Sequence, residues 1–342
     1  MDFLVLHEFP SLSVEKAWRE FLTRVPFPAH YDSPEYFLVP LWQGKGPFAV
    51  LAVENERVVG VVTGLHSGTT VACGLASRPQ IGVDPAADTS SVLNAMAQGL
   101  LKEAESAELV SVFTWKDLPL TKFEEYGFRK RELQGSVVLD LTLGPDELFK
   151  QFPKDRRRNI RFAEKNGVEV RLATEEDLPE AFKVHNAWHH TDRKVVKGEA
   201  SSYETFVRSS KLANRRMFVA VVEGKIVAIN IFRFFQGGLF ESAANNSLDE
   251  YLHLKPNDLL QWRGIEWACS QGLRRHSLGG AHPFLRRFGG TVVPVLRYRL
   301  DRTSLHRHEL RERVADISRD ALRRMPPALG KRVRKILGKD HH

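Results

Sequence analysis

The 342-residue sequence predicts a mixed α/β chain made of two tandem copies of one unit, followed by a basic helical tail. Three observations predict it. FAVLAVENERVVG (48–60) and MFVAVVEGKIVA (217–228) are each an apolar β run, a polar turn after Val-Glu, and a second β run. Each half then carries an aromatic-glycine punctuation before a closing strand. The first is Tyr126-Gly127-Phe128 before VVLDL (137–141), the second Phe288-Gly289-Gly290 before PVLRYRL (294–300), and the two features recur at nearly the same offset. Finally, the formal charge of +8 sits almost wholly in residues 302–342, which hold 12 Lys/Arg against 5 Asp/Glu. The expected divisions are 1–143, 144–302 and 303–342, and each of the first two is of ordinary domain size.

Hydrophobic content of 42% and charged content of 27% are those of a soluble globular protein. No apolar run reaches the roughly 18–20 residues of a membrane span. MDFLVLHEFPSL lacks a basic start and a small-residue cleavage site, so no signal peptide is read. Cys73 and Cys269 fall one in each half and imply neither a disulfide framework nor a cysteine metal site. A reducing cytoplasm is the expected compartment.

In the first half, Val14, Ala17, Trp18, Phe21 and Leu22 share one side of a helix over 11–24. Ser33-Pro34-Glu35 can start a second, with Ser as cap and Pro at its first position. The hairpin follows, then a strand at 71–75, a loop with Arg78-Pro79-Gln80, a helix over 90–107 and a strand at 109–115. In the second half, Pro145-Asp146-Glu147 starts a helix, and the basic segment 154–161 forms another that Asn166-Gly167 ends. A strand at 168–172 precedes a helix capped by Thr174, whose first turn is acidic. After the hairpin come a strand at 239–244, an amphipathic helix over 259–271 opened by Lys255-Pro256-Asn257-Asp258, and a strand at 276–278. In the tail, Leu310, Val314, Ile317, Ala321 and Met325 mark one helical face, expected to pack back on the body. Residues 328–339 are short, basic and amphipathic, which suits an anionic membrane surface or tRNA phosphates.

RRRNIRFAEKNGVEVR (156–171), FVAVVEGKIVAINIF (218–232), LHLKPNDLLQWRGIEWACSQGLRRHSLGGA (252–281) and RRFGGTVVPVLRYRL (286–300) resemble the Fem-type branch of the GNAT superfamily. The likeness spans about residues 25–300, strongly after 145 and by pattern before it. It implies two tandem GNAT-like domains, the first binding the acceptor and the second carrying the transfer site. The implied activity is acyl or aminoacyl transfer to a cell-envelope-related acceptor. The donor would be acyl-CoA or aminoacyl-tRNA, with no permanently bound cofactor. A CoA-dependent N-acyltransferase on a small amine, or a non-catalytic degenerate pair that binds RNA or membrane, are the competing readings. The phosphate-cradling Q/R-x-x-G-x-G/A run is missing; Gln261-Trp262-Arg263-Gly264-Ile265-Glu266 comes nearest but ends in Glu inside a helix.

The candidate residues follow. Lys255, Asn257 and Asp258 put N–H groups and a cation at a helix start, where an anionic donor can dock. Arg157, Arg158 and Arg161 offer planar forks to an anionic or nucleotide-linked acceptor, and suit a solvated face equally well. Trp188, Arg193 and Lys194 fall in a segment that borders the acceptor site in the resembling proteins. There His190 or His189 can act as a general base. His185 and His189 stand four apart, but no third metal ligand is evident. Glu241 is a second candidate base, with a salt bridge to Arg233 as its plain alternative. Asn245 and Asn246 can orient a donor carbonyl, and Tyr298 can donate a proton or merely fill a strand. With no Ser-His-Asp or Cys-His constellation, direct transfer is expected.

Overall fold

A computed structural model describes residues 1–42, 44–75, 78–189, 202–280, 286 and 288–324. Among these, thirteen strands form one sheet. They are β1 (Asp2–Leu6), β2 (Gly46–Glu54), β3 (Arg57–Ser67), β4 (Thr70–Cys73), β5 (Ile81–Val83), β6 (Leu109–Trp115), β7 (Arg129–Asp140), β8 (Glu169–Leu172), β9 (Arg215–Val222), β10 (Lys225–Phe234), β11 (Leu239–Ser247), β12 (Arg275–Gly280) and β13 (Thr291–Asp301). The order is β1-β2-β3-β4-β6-β13-β7-β12-β11-β10-β9-β8, with β5 paired to β3. The helices are α1 (Leu12–Leu22), α2 (Thr89–Glu103), α3 (Thr121–Glu125), α4 (Gly144–Gln151), α5 (Lys154–Lys165), α6 (Leu178–His189), α7 (Tyr203–Ser210), α8 (Pro256–Ser270) and α9 (Arg307–Arg324).

The hairpins that announced the repeat close through two-residue turns at left-handed φ, Asn55-Glu56 in one half and Glu223-Gly224 in the other. Such turns match the twist of the flanking strands. Helices cover both faces of the sheet, which is why β2 and β10 read as continuous apolar runs rather than alternating ones. In the first half α2 packs over β2, β3 and β6, and α1 covers the opposite face. In the second half α4, α5 and α8 cover one face, α6 and α7 the other.

The halves exchange closing strands. β13, from the end of the second half, lies between β6 and β7 of the first, pairing Tyr298 with Val112 on one side and Lys130 on the other. β7 in turn carries the sheet across to β12, pairing His276 with Leu139. At a bulge in β13 the strands come so close that a Cβ on Gly135 would lie 2.4 Å from the Val293 carbonyl oxygen, which only glycine avoids.

Several elements differ from expectation. Ser33-Pro34 opens a short 3-10 stretch, Pro34–Leu38, rather than an α-helix. Thr174 caps a 3-10 turn, Glu175–Asp177, that leads into α6. The helix at 259–271 begins at Pro256 and is buried on nearly every side, because α5, the sheet and the cavity described below surround it. The tail helix is corrected most. Leu310, Val314 and Ile317 face outward, 54%, 55% and 69% exposed. α9 docks through its acidic face instead: Glu309 pairs with Arg129, Asp316 with Arg131, and Glu312 with Arg131, Arg297 and Arg299. Apolar residues on that side would have covered these arginines without pairing them, so charge decides which face goes down. Hydrogen bonding to Arg297, foremost, and the other guanidiniums pull the Glu312 carboxyl down to about 2. Asp301 and Thr303 cap the helix, accepting from the backbone N–H groups of His308, Glu309 and Arg307.

Candidate active site

The parallel strands β11 and β12 pair only from Leu239↔Arg275 to Glu241↔Ser277. Beyond that point they part, and a cavity of about 810 Å³ opens between them, the start of α8 and the end of α6. Ser242, Ala244, Asn245 and Asn246 line it from β11, and Leu278 from β12. Lys255, Pro256, Asn257, Asp258 and Gln261 line it from α8, and His185, Trp188 and His189 from α6. Arg156, Leu252 and Phe288 complete the wall. The first half repeats the arrangement. Its parallel pair β4 and β6 ends at Cys73↔Val112, and a smaller, more apolar cavity of about 340 Å³ lies beyond, lined by Ile81, Pro85, Thr89, Thr114 and Trp115.

The sequence sets the α8 entrance. Lys255 takes a left-handed backbone, φ 60°, and Pro256 holds the first helical position. Pro256 has no N–H and the Asp258 N–H donates to the Lys255 carbonyl at 3.2 Å, so the turn presents the Asn257 N–H and the positive end of the helix dipole to the cavity. Asp258, in the first turn, forms a buried ion pair with Arg156, and its other oxygen accepts from Asn159 at 3.2 Å. The Arg156 guanidinium lies over the Phe288 ring, 4.3 Å from its centroid. Asn257 donates to Ser247 Oγ at 3.0 Å. The buried Oδ1 atoms of Asn245 and Asn257 have no protein partner among the described residues. A buried acceptor left this way is suited to a ligand donor or a water.

Behind the wall runs an ordered chain of polar groups. Ser242 Oγ donates to Asn230 Oδ1 at 2.8 Å, and Asn230 Nδ2 donates to Gln261 Oε1 at 3.2 Å. Gln261 Nε2 donates to His276 Nε2 at 2.6 Å, and His276 Nδ1 donates to the Phe240 carbonyl at 2.9 Å. Each donor and acceptor is fixed by its neighbour, so His276 is neutral with its proton on Nδ1. Burial, first of all, lowers its pKa to about 4. The folded value lies below the ordinary 6.5, so protonation favours the unfolded chain, and stability is expected to fall as pH drops from about 6.5 to 4. His276→Gln is expected to flatten that slope, read from denaturation midpoints at successive pH values.

At the α6 end, His185 Nδ1 lies 2.9 Å from Asn246 Oδ1. An amide oxygen only accepts, so Nδ1 is the donor in this pair and Nε2 is the nitrogen turned away from Asn246. The His189 ring meets His185 edge-on, with centroids 4.6 Å apart. Among the described residues no three His, Cys, Asp or Glu side chains cluster as a metal site.

Trp188, Asn245, Asn246, Lys255, Asn257 and Asp258 are thus brought together by the fold. Trp188 sits in the last turn of α6, not in a following loop. Arg157, Arg158 and Arg161 lie on a different surface, a hollow of about 500 Å³ shared with Lys154, Phe162 and Lys165. Glu241 forms the ion pair with Arg233 that its plain alternative named. It is buried between Arg233, 2.8 Å away across the sheet, and Arg78 of the first half at 2.5 Å, and does not line the cavity. Tyr298 belongs to the core of the first half, where its hydroxyl accepts from the Leu120 N–H at 3.0 Å. His190, Arg193 and Lys194 lie outside the described residues, as do 328–339. Arg156 and Ser242 line the cavity without having been singled out from the sequence, and Gln261 and Phe288, noted there only in the glycine run and the repeat, line it as well.

The profile of the acetyltransferase (GNAT) domain family matches residues 150–286, which carry this cavity. No curated protein matches the chain. Among solved structures, the chain is similar to FemX at 13% identity, covering 87% of this chain and 97% of that one with a TM-score of 0.66. It is similar to L-PGS from Bacillus licheniformis at 13% identity, covering 87% and 94% with a TM-score of 0.58. It is also similar to a tandem GNAT protein from the clavulanic acid biosynthesis pathway at 13% identity, covering 89% and 99% with a TM-score of 0.55. Residues 150–286 match the profile of a GNAT acetyltransferase domain, and the chain as a whole shares the fold of these tandem-GNAT structures.

Proposed function

We propose that this chain transfers an acyl or aminoacyl group, by direct attack in the second-half cavity, to an amine or hydroxyl of an anionic, envelope-related acceptor on the cytoplasmic side. The observation that carries the reading is the coincidence, within the GNAT domain, of splayed parallel strands, a helix start aimed into the gap and a histidine pair on the facing wall. Lys255 and the Asn257 N–H at the start of α8 bind the donor's anionic part. Asn245 and Asn257 accept from N–H donors along its chain, and Arg156, held by Asp258, shapes the floor beside Phe288. His185, oriented by Asn246, takes the proton of the attacking group at Nε2, with His189 beside it, as the donor's thioester or ester bond breaks, and the proton passes to the departing CoA thiolate or tRNA oxygen. The first half, residues 1–143, contributes acceptor contacts, and the 328–339 segment adds membrane or tRNA contact. The Fem-type resemblance supports an aminoacyl donor, and similarity to the tandem GNAT protein, described as a structure without AcCoA, supports acyl-CoA.

The test is a thermal-shift titration with acetyl-CoA, longer acyl-CoAs and aminoacyl-tRNA. A donor that binds only the folded state adds about 2.7 kcal/mol at one hundred times its Kd. A dose-dependent rise with either class, lost in Asn257→Leu, is expected and identifies the donor. No rise with any of them overturns the reading in favour of a non-catalytic pair.

A further inference from the structure

The outer face of α9 finds no cover within the described chain. Leu310, Val314 and Ile317 recur at helical spacing along the solvent side, and Leu305, just ahead of the helix, is 87% exposed. Arg307 and Arg311 flank the stripe on one side and Arg313 on the other, all exposed. Of the four acids of the helix, Glu309, Glu312 and Asp316 are turned inward and paired with body arginines. What the helix shows the solvent is therefore apolar in the middle and cationic at the rim. The sequence continues in the same sense, since residues 325–342 contain Lys331, Arg332, Arg334, Lys335 and Lys339 against Asp340 alone.

We infer that α9 lies flat on an anionic lipid surface, with Leu310, Val314 and Ile317 in the acyl boundary and its rim arginines among the headgroups. Two other occupants fit less well. A second copy would bring like-charged rims and tails together, over a strip one helix wide, where a stable dimer buries roughly 800 Å² on each partner. RNA would engage the arginines but offers its phosphates nothing to place on the apolar stripe. The acidic underside serves this use too, because α9 stays attached to the body while its outer face inserts. The inference does not depend on the chemistry of the cavity. Among the described residues no helix is long and apolar enough to cross a membrane, so the contact is one of surface adsorption.

The experiment is flotation of the full-length protein with vesicles of phosphatidylcholine alone and of phosphatidylcholine mixed with phosphatidylglycerol. Binding to the mixed vesicles only is expected, weakened by salt. Val314→Glu with Ile317→Glu is expected to reduce it at least about tenfold, since both side chains lose their apolar burial. Both positions are exposed, so the melting temperature should not move, which serves as the folding control. Removal of residues 326–342 should weaken binding and leave a part that the same double substitution abolishes. Vesicle binding unchanged by the double substitution overturns the inference. So does tRNA binding without vesicle binding, or a dimer in sedimentation that the substitution dissociates in the absence of vesicle binding.

Discussion

Replacing Glu241 by glutamine is expected to destabilise the protein by about 3–5 kcal/mol, the cost of breaking a buried ion pair from one side. Its Oε1 accepts from Arg78 of the first half and Arg233 of the second, and Arg78 and Glu241 are each about 6% exposed at the side chain. The guanidiniums of Arg78 and Arg233 also share the Tyr31 ring, at 4.1 and 5.4 Å. Arg215 lies near enough that burial, with Arg233 adding to it, lowers its pKa. Burial and these same arginines hold His30 well below the ordinary histidine range. Glu241 is thus the carboxylate ion-paired with both Arg78 and Arg233 in a region of several buried cations, and glutamine leaves these cations facing one another. Denaturation followed by tryptophan fluorescence should show the midpoint fall sharply. If Glu241 were instead the catalytic base, the glutamine variant would keep its midpoint and lose only turnover.

Arg156→Met should cost a similar amount, about 3–5 kcal/mol, because Asp258 keeps its buried charge and loses the guanidinium that compensates it. Methionine preserves much of the packing against Phe288, so most of the loss is electrostatic. Arg156→Met combined with Asp258→Leu should recover most of it, since removing both charges leaves neither one unpaired. A double variant no more stable than Arg156→Met would place the importance of Arg156 in packing. If the double variant is stable but no longer shows the donor-dependent thermal shift, the pair also orders the cavity for its ligand.

Much of the fold was legible because the repeat is carried by β hairpins, whose turn residues and apolar runs are local signals. The exchange of β7 and β13 was not, since it joins residues more than a hundred positions apart and leaves no local pattern. For the site, the strand end at Asn245-Asn246 and the helix start at Lys255 could be read, because both are turn chemistry. Arg156 was overlooked among its neighbours, although Arg156, Ile160 and Ala163 follow helical spacing and form the buried face of α5. That spacing separates it from Arg157, Arg158 and Arg161, which point elsewhere. Glu241 and Tyr298 each kept two readings from the sequence, because the partners that occupy them, Arg78 and the Leu120 N–H, come from the other half. The α9 stripe misled for a related reason. Periodicity finds an apolar face but not what lies beneath the helix, and here that surface is a bed of arginines.

The exchanged strands also bear on how the chain is made. During synthesis the first half emerges with β6 and β7 flanking a slot whose occupant, β13, is translated near the end. Until then the facing edges of β6 and β7 lack their partner, a state prone to mispairing. The nascent first half therefore waits on the second, and the two reach their final form in one late step rather than in sequence. A chain released before residue 291 would leave both edges open, making it a substrate for chaperones and proteases rather than a working half-protein.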